Sequence, residues 1–334
     1  MRRTLSERAV VVGSLTPGPN DTIADVPGVR VGHRTRVRGT GALRTGVGPV
    51  RTGVSVVVPP GDGPWPAAVD VINGYGKSLG LMQVAELGEL ETPIFLTNTL
   101  AVGAVQQGYL RHVRDRYAAR PGRSLNVVVT ECNDGYLNDL WGLHVRTEDA
   151  VLALQDADRQ GPVEQGSVGA GTGMVAFGHK GGIGSASRRL GDGETMVGAL
   201  VLLNCGRAGD LRVVGRPAPE GTRPVPEPAP GSVIVVLATN GLWDRHDLRR
   251  GVRRAVHGLA RTGAASDPGS GDVALLFRTA TEAAPTKATP PLDQLFRAVA
   301  EVTEAAVLNA LVTATTVVGR DGNVAHALPD EALG

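Results

Sequence analysis

The chain of 334 residues lacks most of the features that announce common functions. Its two cysteines, Cys132 and Cys205, are too few for a disulfide framework or a cysteine metal set, which favours a reducing compartment. Aromatic residues make up only 3%, leaving few surfaces on which nucleobases stack. The formal net charge is +1, so no global basic field points to nucleic acid or to an anionic membrane. No apolar run approaches the roughly 18 residues of a membrane-spanning helix, and the N-terminal stretch MRRTLSERAVVVGSLTPGPNDT has too short an apolar core for a secretory signal. There is no HExxH pattern and no Cys/His ligand spacing, so neither a metal nor another cofactor is expected. His33 and His144 read as structural histidines, and His179, His246 and His257 as residents of a glycine-rich loop or a helix surface. The expectation is a cytoplasmic α/β protein.

What the chain does have is glycine, 46 residues of it, and 22 prolines. The most informative use of both is the junction Gly231-Ser232. Residues 215–231 (GRPAPEGTRPVPEPAPG) are extended, poor in backbone donors and unable to form helix or central strand; residues 207–231 read as an exposed linker. Ser232 then opens the apolar run SVIVVLATN, in which residues 233–237 have the continuous β-branched character of a buried strand. A small nucleophile at the first position of a core strand, after Gly and an exposed loop, is a place where a chain can cut itself. The new N-terminus would carry a hydroxyl and a free amine on one residue, and such an amine is a known base for a weak nucleophile. The ordinary alternative is a domain linker followed by a strand.

Along the rest of the chain, strands are expected at 22–33 (broken by a Pro-Gly turn), 53–59, 93–97, 125–130, 197–203, 233–238, 273–279 and 314–318. Helices are expected at 79–90, 99–117, 147–157 with Thr147 as N-cap, 245–259 capped by Asp244, and from the Pro290-Pro291 pair to about 311. Several strands follow one another without an intervening helix, which suggests a layered α/β sandwich rather than a doubly wound sheet. Two glycine segments fail as nucleotide sites. Residues 73–78 (NGYGKS) end like a phosphate-binding loop, but Val71 stands where that loop needs Gly, and residues 169–174 (GAGTGM) lack the third Gly of a dinucleotide fingerprint. Residues 166–184 instead read as a loop crowded against other backbone, where a Cβ would not fit.

A nucleophilic Ser232 needs a base, an orienting group and an oxyanion donor. The freed α-amine, with an ordinary pKa of about 8, suits the first role. Ser270 and Asp272, two residues apart at the mouth of a strand, can face one cleft and orient it, unless they only cap their own turn. Asn204 ends a strand and its amide suits an oxyanion, or it simply ends a turn. Glu131, with Asn133, Asp134 and Tyr136 just beyond, ends another strand; it can bind a substrate ammonium, or be a solvated loop acid.

At these residues the chain resembles a family. TIADVPGVRVGH (22–33), VINGYGKSLGL (71–81), LETPIFLTNT (90–99), TECNDGYLND (130–139), GAGTGMVAFGHKGGIGSASR (169–188), GSVIVVLATN (231–240) and GSGD (269–272) look like the L-aminopeptidase/D-esterase family, which includes the β-peptidyl aminopeptidases. The resemblance implies a four-layer αββα sandwich, similar in layering to N-terminal nucleophile hydrolases but differently connected. It implies one domain that cuts itself after Gly231 into a larger chain, 1–231, and a smaller chain, 232–334. It also implies a homo-oligomer, a tetramer of such cleaved pairs. By motif position Ser232 is the nucleophile, Ser270 and Asp272 orient and tune it, Asn204 serves the oxyanion and Glu131 holds the substrate amine. Two departures stand out. Asp272 occupies a place where the family pattern has the longer Glu. Asn133 occupies one where an aromatic is expected, with Tyr136 the nearest substitute in the pocket. The implied activity is that of a self-processing serine aminopeptidase acting through an acyl-enzyme on small peptides, amides or esters with a free amine. The alternatives are an acyltransferase of the ornithine acetyltransferase type, whose nucleophile is Thr, and an uncleaved binding protein.

Overall fold

Short β-branched runs dominate the chain, and in the computed structural model nearly all become strands. Residues 2–118, 122, 124–159, 161–191, 193–218, 231–280 and 289–333 are described. In chain order the first half runs β1 (Arg30–Arg38), β2 (Val50–Val58), β3 (Trp65–Gly74), α1 (Leu81–Leu87), β4 (Glu89–Leu90), β5 (Ile94–Asn98), α2 (Val102–Ala118), β6 (Val128–Cys132) and α3 (Thr147–Ala157). A small hairpin, β7 (Val175–Ala176) and β8 (His179–Lys180), leads into β9 (Gly182–Leu190) and β10 (Thr195–Asn204). After a second hairpin, β11 (Arg212–Val213) and β12 (Arg216–Pro217), come β13 (Ser232–Thr239), α4 (Arg245–Val252), α5 (Ala255–Arg261), β14 (Gly271–Arg278), α6 (Leu292–Val312) and the short pair β15 (Val317–Val318) and β16 (Val324–Ala325).

Besides three two-stranded hairpins, the described residues form two larger sheets, a four-stranded one of order β1-β2-β5-β6 and a six-stranded one of order β4-β3-β14-β13-β10-β9. Only β5–β6 and β13–β14 are parallel pairs among the described residues. The layering follows from which side chains each strand buries. On β13, Ile234, Val236 and Ala238 meet Ile94, Leu96 and Val128 of the other sheet, while Val233, Val235 and Leu237 point the opposite way onto Leu248, Val252, Leu295 and Val299 of α4 and α6. The outer face of the four-stranded sheet packs Val54, Val56, Phe95 and Val129 under Val105 and Tyr109 of α2 and Ala150 and Ala153 of α3. The order is thus helix, sheet, sheet, helix, the αββα sandwich. Because β13 is buried on both faces, its sequence is a continuous apolar run rather than an alternating one. Each such Val, Leu or Ile contributes about 1.5–3 kcal/mol.

Several local expectations need correction. The first strand starts at Arg30, and Ile23–Asp25 is instead a 3-10 turn; the Asp25 carboxylate accepts the amides of Asn20 and Thr22 and so favours the turn. Arg146, not Thr147, is the N-cap of α3, and the Asp149 carboxylate reaches back to its amide at 2.7 Å. The glycine-rich 166–184 segment is crowded as expected, since a Cβ on Gly171 would stand 2.6 Å from Ile183 N and one on Gly173 2.2 Å from Arg51 O. It is not all loop, however: it holds a 3-10 turn, the β7–β8 hairpin with a buried His179, and the start of β9. The segment expected as linker from 207 folds over 207–218 into the β11–β12 hairpin with Leu211 and Val213 buried, and its remainder, 219–230, lies outside the described residues. Among the described residues no helix is long and apolar enough to cross a membrane.

Candidate active site

Both sheets bring a strand end to one place. Ser232 begins β13, flanked on one side by Asn204, the last residue of β10, and on the other by Gly271, the first of β14. It is buried, and its Oγ donates to Gly231 O at 2.6 Å. The Gly271 amide points at both atoms, 3.3 Å from Ser232 Oγ and 3.3 Å from Gly231 O. The hydroxyl therefore sits against the peptide that precedes it, under an N–H donor.

The parallel pairing of β13 and β14 sets Val233 beside Asp272. Asp272 Oδ1 accepts the Val233 amide at 3.1 Å and the Ser270 hydroxyl at 2.5 Å. Burial pushes this carboxyl above its ordinary range, while hydrogen bonds from Ser270, Ser266 and the Val233 amide pull it back. The turn before β14 is pinned from β3, where the Asn73 side-chain amide donates to Ser270 O and, at 3.1 Å, to Asp267 O. Ser270 and Asp272 thus form one hydrogen-bonded pair rather than two separate turn caps.

Asn204 is held at both ends of its amide. Oδ1 accepts the Val175 amide at 2.9 Å and Nδ2 donates to Asn133 O at 3.0 Å, which fixes the amide's orientation and, among the described residues, leaves one Nδ2 hydrogen uncommitted. Asn133 serves here through its backbone, its own Oδ1 being turned onto the Gly135 amide at 2.8 Å. Tyr136 packs beside Leu137, Val175 and Ala325 in a small cluster adjoining Asn204.

Glu131 lies inside β6 rather than at its end, and is 2% exposed. One carboxylate oxygen accepts the Lys77 amide at 2.8 Å and the other the Thr99 hydroxyl. Among the described residues no Lys, Arg or His side chain pairs with it, so it is a buried carboxylate held by neutral donors. It joins the Ser232 cluster through two glycines. A Cβ on Gly76 would stand 3.7 Å from Glu131 Oε1 and 3.8 Å from Gly271 Cα, and one on Gly271 would meet Gly76 Cα at 2.9 Å. The loop after β3 lies flat on the mouth of β14 because neither residue has a side chain.

A strand end bearing a hydroxyl, an acid–hydroxyl pair beside it, an oriented amide opposite and, across a glycine contact, a carboxylate held among the described residues by neutral donors form an arrangement that can support acyl transfer. Comparison with known proteins gives the family. Residues 21–325 match Peptidase family S58. The chain belongs to that family. It is 38% identical to the beta-peptidyl aminopeptidase BapA of Sphingosinicella microcystinivorans over 95% of this chain and 87% of the relative. The solved Burkholderia sp. beta-aminopeptidase superposes with a TM-score of 0.86 at 39% identity, covering 100% of this chain and 97% of that one. The L-aminopeptidase D-Ala-esterase/amidase of Ochrobactrum anthropi, described as a variant of the Ntn hydrolase fold, gives a TM-score of 0.79 at 32% identity, covering 96% and 94%.

Within this S58 chain, sequence reasoning missed Thr99, the Lys77 amide and Asn73, each of which touches a candidate site residue. It also missed a buried lysine close enough to Asp134 to feel its charge. Lys180 Nζ donates to Gly171 O at 2.7 Å and Gly181 O at 2.8 Å, and burial pulls it down to about 7. Burial raises Asp134 to about 7, against hydrogen bonds from Thr52 and Asn138. The signal available was a lysine and an aspartate flanked by glycines and strand residues, which is faint.

Proposed function

We propose that this S58 member is a self-processing serine aminopeptidase that cuts itself between Gly231 and Ser232 and then removes N-terminal residues from small peptides, amides or esters. The observation that carries the reading is the 2.6 Å approach of Ser232 Oγ to Gly231 O beneath the Gly271 amide. In the first reaction Oγ attacks the Gly231 carbonyl carbon and the Gly271 N–H receives the developing oxyanion. The C–N bond breaks as the Ser232 nitrogen takes a proton, and water then hydrolyses the ester. The products are chains 1–231 and 232–334.

The liberated α-amine then stands one residue from the Val233 amide that Asp272 already holds, so Asp272 and Ser270 orient it. A substrate's ammonium group would be received by Glu131, whose partners among the described residues are neutral donors. Ser232 Oγ attacks the substrate carbonyl while its own amine takes the proton, and the second Nδ2 hydrogen of Asn204 with the Gly271 N–H stabilises the oxyanion. The leaving amine departs with that proton, and water releases the acyl group. The working form is taken to be a cytoplasmic homo-oligomer, a tetramer of cleaved pairs; exposed Met82 (89%) and Trp141 (74%) supply apolar surface for such contacts.

Denaturing electrophoresis and assay with N-terminally free p-nitroanilides test the reading. Wild type should give two bands and release nitroaniline; Ser232→Ala should give one band and no release. A processed or active Ser232→Ala protein would refute it.

A further inference from the structure

Lys77 is one of three lysines in a chain whose other basic side chains are mostly arginine. Its backbone supports Glu131, yet its ammonium does not go there. Nζ donates to Tyr75 O at 3.2 Å and lies 4.1 Å over the centre of the exposed Tyr75 ring. Among the described residues no carboxylate pairs with it, and the acids nearby are taken: Glu131 by Thr99 and the Lys77 amide, Asp272 by Ser270, Asp267 by Arg207. The ammonium is nonetheless close to the chemistry, because Tyr75 O stands only 3.1 Å from where a Gly271 Cβ would be. Nζ is thus one hydrogen bond from a carbonyl that borders the residue whose amide touches Ser232 Oγ.

From this placement we propose that Lys77 forms a carboxylate subsite on the leaving-group side of Ser232, so that the preferred substrates are dipeptides with a free C-terminus. The inference rests on the aminopeptidase reading. In a dipeptide whose amine sits at Glu131 and whose carbonyl sits at Ser232, the terminal carboxylate belongs to the very next residue, about 4–5 Å past the scissile carbonyl given a Cα spacing of about 3.8 Å. Lys77 hangs on a flexible four-carbon stem and its present partners, a carbonyl and a ring face, are weak competitors for a carboxylate. Glu131 and Lys77 would then read the two charged ends of one zwitterion, and a longer or capped peptide would lose the second contact.

The test compares kcat/KM for one dipeptide and its C-terminal amide in wild type, Lys77→Met and Lys77→Arg. Both variants keep the backbone amide that holds Glu131, and the side chain is exposed, so neither threatens the fold. A partly exposed ion pair predicts that wild type favours the acid by about fivefold. The preference should vanish in Lys77→Met, persist in Lys77→Arg and shrink with added salt. Equal rates for acid and amide in wild type would overturn the subsite, as would a preference unchanged in Lys77→Met. Failure of wild type to cleave either substrate would overturn the underlying aminopeptidase reading as well, and is told apart because it removes the rates rather than their ratio.

Discussion

Glu131→Gln separates the proposed role of the buried carboxylate in recognition from its effect on the fold. Oε1 must go on accepting the Lys77 amide at 2.8 Å, so the nitrogen of the introduced side-chain amide would face Thr99, whose hydroxyl can rotate to accept instead of donate. The geometry survives and only the charge is lost. Breaking a buried charge pair with the substrate ammonium should cost about 3 kcal/mol, or about a hundredfold in kcat/KM for an N-terminally free p-nitroanilide. The matching ester without an amine should lose no more than about threefold, because its reaction never used the charge. The fold should be as stable as wild type or more so by up to about 1 kcal/mol in urea titration, since a buried carboxylate without a cationic partner is costly in the free protein. Near wild-type kcat/KM on the amine-bearing substrate would refute the assignment, and an equal loss on both substrates would show a role in the chemistry rather than in amine recognition.

Asn204→Ala should slow turnover by about 2–4 kcal/mol in the barrier with little change in KM, as read from steady-state kinetics of the processed enzyme. Gly184→Ala should destabilise by about 3 kcal/mol in urea unfolding, because its Cβ would stand 1.9 Å from Ala306 O and push α6 off β9. Burial pulls His33 down to about 4, with the Asp156 charge opposing. Between pH 6.5 and about 4 the unfolded chain therefore binds more protons at this residue than the folded one, and stability falls as pH drops through that window. His33→Gln should remove that loss, on the order of 2 kcal/mol, in a comparison of unfolding free energies at about pH 7 and pH 4; an identical pH dependence in the two proteins would contradict it.

The Gly231-Ser232 junction was legible because a buried strand beginning on a hydroxyl residue leaves a local record, a proline-rich stretch meeting a run of Val and Ile. Helix α6 and the Asp244 cap, whose carboxylate accepts the Asp247 amide at 2.8 Å, were legible for the same local reason. Strand β9 was not, because its sequence GIGSASRRL lacks β-branched residues except Ile183; it is held extended by α6 lying on the backbone of Gly184, a contact more than a hundred residues away in the chain. Glu131 was placed at a strand end rather than within the strand, since β6 runs to Cys132, and its partners were hidden because Thr99 reaches it only through the parallel pairing of β5 with β6. The GYGKS segment reads as a failed phosphate loop. Its glycine is there so that Gly76 and Gly271 can touch, which only the pairing of β3 with β14 reveals.

Intact mass analysis of enzyme quenched during turnover of an N-terminally free ester tests the central claim most directly. The account predicts a fragment of residues 232–334 that begins at Ser232 and carries the acyl mass on that residue. Active protein that remains one continuous chain, or an acyl group located elsewhere, would contradict it.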